Sequence, residues 1–210
     1  MAFLTCDFFS YHLGMDVQMN VLLPEKRQEE PKPAPDAKYK VLYLLHGHSD
    51  DHSAYIRKSL IEVLVRRYDL AVVMPDAHRS GYANMIHGHR YYDYMTEDVM
   101  MQAPNFFPIS TKPEDTYIAG LIALLRDVDS RGGMPGTKFY HSCGTEDPLY
   151  PGVCALRDAF HSLTGRWDYT YEESAGTHNW DNWNYYLPCM LQCFGLIPEG
   201  EGFDDRRILF

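Results

Sequence analysis

Long apolar runs are missing from this 210-residue chain, and none approaches the length needed to cross a bilayer. Basic charge is scarce: 19 Lys and Arg stand against 29 Asp and Glu, a formal net charge of -10. Nucleic acid is therefore a poor partner, because a polyanion is repelled and the pairs Arg66-Arg67 and Arg206-Arg207 are too short to form a patch. The five cysteines are an odd number without a Cys-x-x-Cys pair, which favours free thiols in a reducing compartment over a disulfide scaffold. The opening MAFLTCDFFSYHLG has no basic segment, no sustained apolar stretch and an early Asp7. It reads as mature chain and not as a secretion signal, and cytoplasmic is the expected location. No internal repeat is visible.

What is present is the composition of one globular domain over residues 1–210, with 45% hydrophobic and 23% charged residues. Partial alternation over Asp16 to Leu23 predicts a strand near a sheet edge. Residues 24–38, with four prolines among charged side chains, read as a loop. Short apolar runs at Lys40 to Leu45 and Leu70 to Met74 predict strands buried on both faces. Further strands are expected at Thr116 to Ala119, Lys138 to Ser142 and Asp168 to Glu172. Helical spacing marks Asp51 to Tyr68, Tyr92 to Gln102, Gly152 to Leu163 and Trp180 to Phe194. Strands alternating with helices imply an α/β fold with a largely parallel sheet, in which ligands bind beyond the carboxyl ends of the strands. The tail, residues 198–210, has no clear period.

Three chemistry-bearing segments follow predicted strands: His46-Gly47-His48, Gly144-Thr145-Glu146-Asp147 and Gly176-Thr177-His178. Cleaving an ester through an acyl intermediate takes a nucleophile, a base, a group that orients the base, and donors aimed at the oxyanion. An acid followed by a histidine, with an early donor loop, is the chain order of α/β-hydrolases. Taken singly, Asp147 could equally cap a helix and His178 could be an ordinary loop residue.

Longer stretches carry a resemblance. MAFLTCDFFS from Met1, VLYLLHGHSDDHSAY from Val41, VVMPDAHRSGY from Val72, FFPISTKPEDTYIAGL from Phe106, CGTEDPLY from Cys143 and GTHNWDNW from Gly176 resemble the tributyrin-esterase or esterase-D-like branch of the α/β-hydrolases. Feruloyl esterases, acetyl esterases and S-formylglutathione hydrolases belong to that branch. The resemblance covers residues 1–121 and about 137–196. It implies an α/β-hydrolase fold and, position by position, Asp147 as triad acid, His178 as general base and a backbone N–H near Gly47-His48 as oxyanion donor. The implied substrates are small carboxylic esters with short-chain acyl, acetyl or feruloyl groups. No cofactor and no metal are called for. His46, Tyr82 and Trp180 are candidate substrate contacts; Tyr82, Tyr91, Tyr92, Trp180 and Trp183 could line the pocket or simply pack the core.

The nucleophile is missing. Family members continue from the equivalent of Gly120-Leu121 with a serine turn, a helix and another strand, whereas here Ile122 follows and the chain passes to IALLRDVDSRGGMPG. The junction 122–136 is thus shortened, with a short helix Ile122 to Val128 expected to close the gap. Ser142, Cys143, Ser49 and Ser174 are the candidate replacements. The alternative readings are a non-catalytic binding domain and a metal-dependent hydrolase built on His46-Gly-His48-Ser-Asp50-Asp51-His52, whose spacing is one residue off the H-x-H-x-D-H run.

Overall fold

A computed structural model describes residues 1–26, 34, 36–119, 133–162 and 166–200. Seven strands form: β1 (Ala2–Ser10), β2 (Met15–Leu23), β3 (Lys40–Leu44), β4 (Leu70–Pro75), β5 (Thr116–Ala119), β6 (Gly133–Gly144) and β7 (Arg166–Ser174). The first five make one sheet in the order β1-β2-β4-β3-β5, and β6 and β7 make a parallel pair. Contacts of β3 with β4 and β5 are parallel, while β1–β2 and β2–β4 are antiparallel. The apolar runs behave as expected. Every residue of β4 is buried, as are Val41 to Leu44 of β3.

The alternation of the central strands sorts the core into two layers. Val41, Tyr43, Ala71 and Val73 face Tyr94, Met95, Val99 and Ala103 on one side of the sheet. Leu42, Leu44, Leu70, Val72 and Met74 face Ile61, Val65, Leu187, Met190 and Leu191 on the other. Burial of each such side chain contributes about 1.5–3 kcal/mol.

Several elements differ from the expectations. β1 is a strand the sequence reading did not pick out. The single helix expected over Asp51 to Tyr68 is two, α1 (Ala54–Lys58) and α2 (Ile61–Val65). Ser59 breaks it: its backbone is extended, its hydroxyl donates to Tyr55 O at 2.6 Å, and the Ile61 N–H binds that hydroxyl at 3.2 Å. The helix expected from Tyr92 is a composite of α3 (Tyr91–Asp93), a π-helical turn (Tyr94–Val99) and α4 (Met100–Phe106). Pro104 removes the amide that would bond Met100 O in α4. The last two helices, α5 (Tyr150–Ser162) and α6 (Trp180–Cys193), lie close to their expected spans.

Positions 120–132, including Ile122 and its proposed helix, lie outside the described residues, as do 201–210 of the tail. Among the described residues no strand bridges β5 and β6. Phe139, Tyr140, His141 and Ser142 of β6 are only half-buried, in contrast to β3 and β4. A mixed sheet flanked by helices and interrupted between β5 and β6 is a shortened α/β-hydrolase sheet. No helix among the described residues is long and apolar enough to cross a membrane.

The π-helical turn carries Asp98 to the end of β1. Its carboxylate accepts from Ser10 Oγ at 2.5 Å and from the His12 N–H at 3.0 Å, and lies 2.9 Å from His12 Nδ1. Burial opposes ionisation of Asp98, but these bonds outweigh it and hold the carboxyl below its usual value. A depressed carboxyl stabilises the fold above the unfolded-chain value of about 3.9 and loses that contribution as pH falls through the lower folded value. Asp98→Asn is therefore expected to cost about 1–3 kcal/mol at pH 7 and to flatten the loss of stability below about pH 4. Urea unfolding of both proteins across pH 2–7 checks this, and parallel curves would contradict it.

Candidate active site

β6 and β7 run parallel and end side by side; two of the three predicted segments follow them and the third follows β3. β6 ends at Gly144 and β7 at Ser174. Beyond those ends the two chains stay paired: Thr145 N donates to Ser174 O and Glu146 N to Gly176 O, both at 2.9 Å. The approach needs glycine. A Cβ on Gly144 would lie 2.2 Å from Gly176 O, and one on Gly176 would lie 2.4 Å from Asn182 Oδ1. Asn182 is buried against both glycines, and its amide is taken by the side chain of Asn179, which caps α6 at 2.9 Å.

This close packing brings His178 Nδ1 to 2.8 Å from Asp147 Oδ2. The acid side chain is 5% exposed and the histidine 48%. Asp147 serves both readings at once, because its Oδ1 also accepts from Leu149 N at 2.8 Å and orders the turn into α5. With Nδ1 held by the carboxylate, Nε2 is the ring atom presented outward. Trp183 packs edge-to-face on the His178 ring at 4.8 Å. Trp180 follows at 5.0 Å from Trp183 and lies 5.3 Å from Tyr55, with Lys58 Nζ 5.4 Å from the Trp180 ring.

That aromatic row leads to the loop after β3. Tyr55 OH donates to Leu45 O at 3.3 Å. Asn184 of α6 bridges Lys58 O and Leu60 N at 3.0 and 3.3 Å. Gly47 is half-buried and His48 exposed. His46 is not presented to a substrate: it is 2% exposed, and its Nε2 accepts from Ala77 N at 3.0 Å while Nδ1 lies 2.7 Å from Gly47 O. With a backbone partner at each nitrogen, the ring ties the ends of β3 and β4 together. Tyr82 is also 2% exposed, with its OH on His46 O at 3.1 Å, and Tyr91 is buried with its OH 3.1 Å from His78 Nδ1. Both support the loop from beneath. Tyr92 is half-buried beside the Asn84 turn.

The loop's other polar groups are turned to separate tasks. Asp50 pairs with Lys58, Asp51 accepts from Ser53 N at 2.8 Å, and His52 Nδ1 lies 3.3 Å from Asp76 Oδ2. Burial opposes ionisation of Asp76, yet the His78 N–H at 2.8 Å and His52 outweigh it, and its carboxyl sits well below the usual range. Among the described residues no three His, Cys, Asp or Glu side chains converge as a metal site. Two of the four alternative nucleophiles are disfavoured by their surroundings. Burial, then the Asp147 charge, push the Cys143 thiol up to about 11, and Ser174 Oγ accepts from Tyr186 OH at 2.7 Å. Ser142 is half-buried on β6 and Ser49 exposed in the first loop.

Sequence reasoning missed Asn182 and the close approach of Gly144 to Gly176. The only available signal was the run of glycine and asparagine around His178. Gly144→Ala is expected to force the two strand ends apart, costing about 1–3 kcal/mol or more. The same change should abolish the downfield proton resonance of the His178 Nδ1–H bonded to Asp147. Retention of that resonance at wild-type stability would contradict the glycine argument.

No protein-family model matches the chain. A curated acetyl esterase from Caldicellulosiruptor saccharolyticus is 24% identical over 271 aligned positions, spanning 95% of this chain and 100% of the relative. The alignment is longer than the 210 residues present here, so the relative has positions without a counterpart. Among solved structures, the fluorophosphonate-binding serine hydrolase FphF of Staphylococcus aureus matches with TM-score 0.77 and 23% identity over 92% of this chain and 98% of its own. The S-formylglutathione hydrolase FrmB of the same organism matches with TM-score 0.72 and 22% identity over 92% and 98%. A ferulic acid esterase matches with TM-score 0.74 and 16% identity over 93% and 99%. The chain has the α/β-hydrolase fold, and its alignment with the acetyl esterase runs from end to end of that relative.

Proposed function

We propose that this chain holds the acid–base half of a serine-carboxylesterase site and, without a nucleophile, does not itself turn over esters. The observation that carries the reading is the His178–Asp147 hydrogen bond of 2.8 Å at the carboxyl edge of the strands. In the full reaction His178 takes the nucleophile's proton at Nε2 and returns it to the leaving alcohol. Asp147 fixes the ring tautomer and stabilises the imidazolium. A backbone N–H at Gly47 or His48 donates to the oxyanion.

The missing partner is the attacking oxygen. Ile122 stands where the serine is expected, and an alkyl side chain cannot attack a carbonyl. The committed state of Ser174 and the raised thiol of Cys143 argue against a substitute. The ligand class follows from the relatives: small carboxylic esters, with acetyl or feruloyl acyl groups or a formyl thioester. The aromatic row Trp183-Trp180-Tyr55 offers such a group a flat apolar surface. The individual exposures favour Trp180 as a ligand contact over His46 and Tyr82. One compact domain over residues 1–210 and a cytoplasmic setting complete the reading.

The test has two stages. The purified chain should remain unlabelled by a fluorophosphonate probe and hydrolyse p-nitrophenyl acetate no faster than its His178→Ala variant. Inserting a relative's segment, from its serine turn to its next strand, between Leu121 and Ile122 should restore labelling. Turnover should rise by at least about 10³-fold and fall again with His178→Ala, since a lost triad residue costs up to about 10⁶-fold in a well-studied protease. Labelling of the unaltered chain that depends on His178 would overturn the proposal.

A further inference from the structure

β1 is the outer strand of the five-stranded sheet, its second edge pairs with no strand among the described residues, and it is unusual in what it lacks. Nine residues run in unbroken register against β2, from Ala2↔Leu23 to Ser10↔Met15, without a bulge. The strand contains no proline and no lysine, and Asp7 is its one charge. Monomeric proteins guard an outer strand with such residues, with bulges, or by keeping it short. Here the exposed face instead presents Phe3, 48% exposed, and Phe9, 50% exposed. Tyr11, 77% exposed, packs edge-to-face on Phe9 at 5.5 Å and extends the apolar surface.

The order of these residues says what would cover them. Phe3-Leu4-Thr5-Cys6-Asp7-Phe8-Phe9 reads alike in both directions about Cys6: aromatic at both ends, apolar next, then one polar residue on each side. Antiparallel pairing of two such strands about a two-fold axis at Cys6 sets Phe3 against Phe9 of the other copy, twice. Thr5 then faces Asp7, so that the lone charge does not directly oppose its own copy. Leu4 faces Phe8, and the two Cys6 side chains stand directly opposite. Thr5 and Asp7 are exposed, with their side chains already oriented across the sheet by Asn20 and Gln18. The residue pattern is thus self-complementary in an isologous pair.

We propose that β1 pairs antiparallel with β1 of a second copy of this chain, centred on Cys6, and joins the two sheets into one continuous sheet. The pairing uses no residue of the candidate active site.

Sedimentation velocity of the full chain should show a concentration-dependent dimer. Thr5→Asp opposes like charges at two symmetric places and should raise the dimer dissociation constant by about tenfold or more. Thr5→Lys should leave it unchanged or lower it, because lysine then faces Asp7. A non-specific sticky edge would instead be blocked by that lysine. Directly opposed residues lie about 4.5–5.5 Å apart at Cα, within the disulfide range. Diamide should therefore couple the two Cys6 thiols, the diazene taking up both protons and both electrons, and Cys6→Ser should abolish this covalent dimer. The proposal is overturned by a monomer at roughly 0.1 mM protein, by a dimer indifferent to Thr5→Asp, by equal dissociation with Thr5→Lys, or by diamide coupling that survives Cys6→Ser. Circular dichroism melting of both Thr5 variants separates lost pairing from lost folding.

Discussion

The bare backbone contact between the ends of β6 and β7 underlies the whole candidate site. Neither Asp147 nor His178 is held by a long side-chain reach. Each sits within four residues of a strand end, and the strand ends must come close enough for a carboxylate and an imidazole to touch. Gly144 and Gly176 permit that approach, and the buried Asn182 fills the space that two methyl groups would have taken. Once the backbones are in place, the 2.8 Å bond follows with little further ordering of either side chain. The geometry of the chemistry is therefore a property of main chain and packing, and the polar residues inherit it.

Histidines in this chain divide by what occupies their nitrogens. His46 has a backbone partner at each nitrogen and is a buried strut. His52 and His78 surround Asp76 and help keep it ionised. Burial on β6 brings His141 down to about 4, so it stays neutral at ordinary pH. His178 alone combines a buried carboxylate on one nitrogen with substantial exposure of its ring. A cluster of histidines in sequence thus separates into framework and chemistry only when their partners are known.

Much of the fold was legible because its signals are local. The apolar runs of β3 and β4 and the helical spacing of α5 and α6 are written within single elements. The position of the site was legible too, since the acid and the histidine each follow a predicted strand. Interactions across the chain were not. The break at Ser59 depends on a hydroxyl competing for backbone partners, and the burial of His46 and Tyr82 depends on the return of β4 beneath the first loop. β1 escaped notice for a different reason: its alternation is real, but as an outer strand it buries only one side, and at its far end. The roles of Asn182 and the two glycines could not be read from residue type at all, because they are defined by close contacts between distant segments.

Helix α6 joins two structures that share no strand pairing with each other. Its Leu187, Met190 and Leu191 lock against β3 and β4. From the same helix Tyr186 OH reaches Cys143 O at 3.2 Å, and Lys138 of β6 reaches Cys193 O at 3.1 Å. The Asp147–His178 pair thus belongs to a small unit of β6, β7, α5 and α6 that is bolted to the main sheet through α6 and through contacts of β6 with β5. Material lost or gained between the two sheets can change the chemistry at their boundary while leaving the bolt untouched.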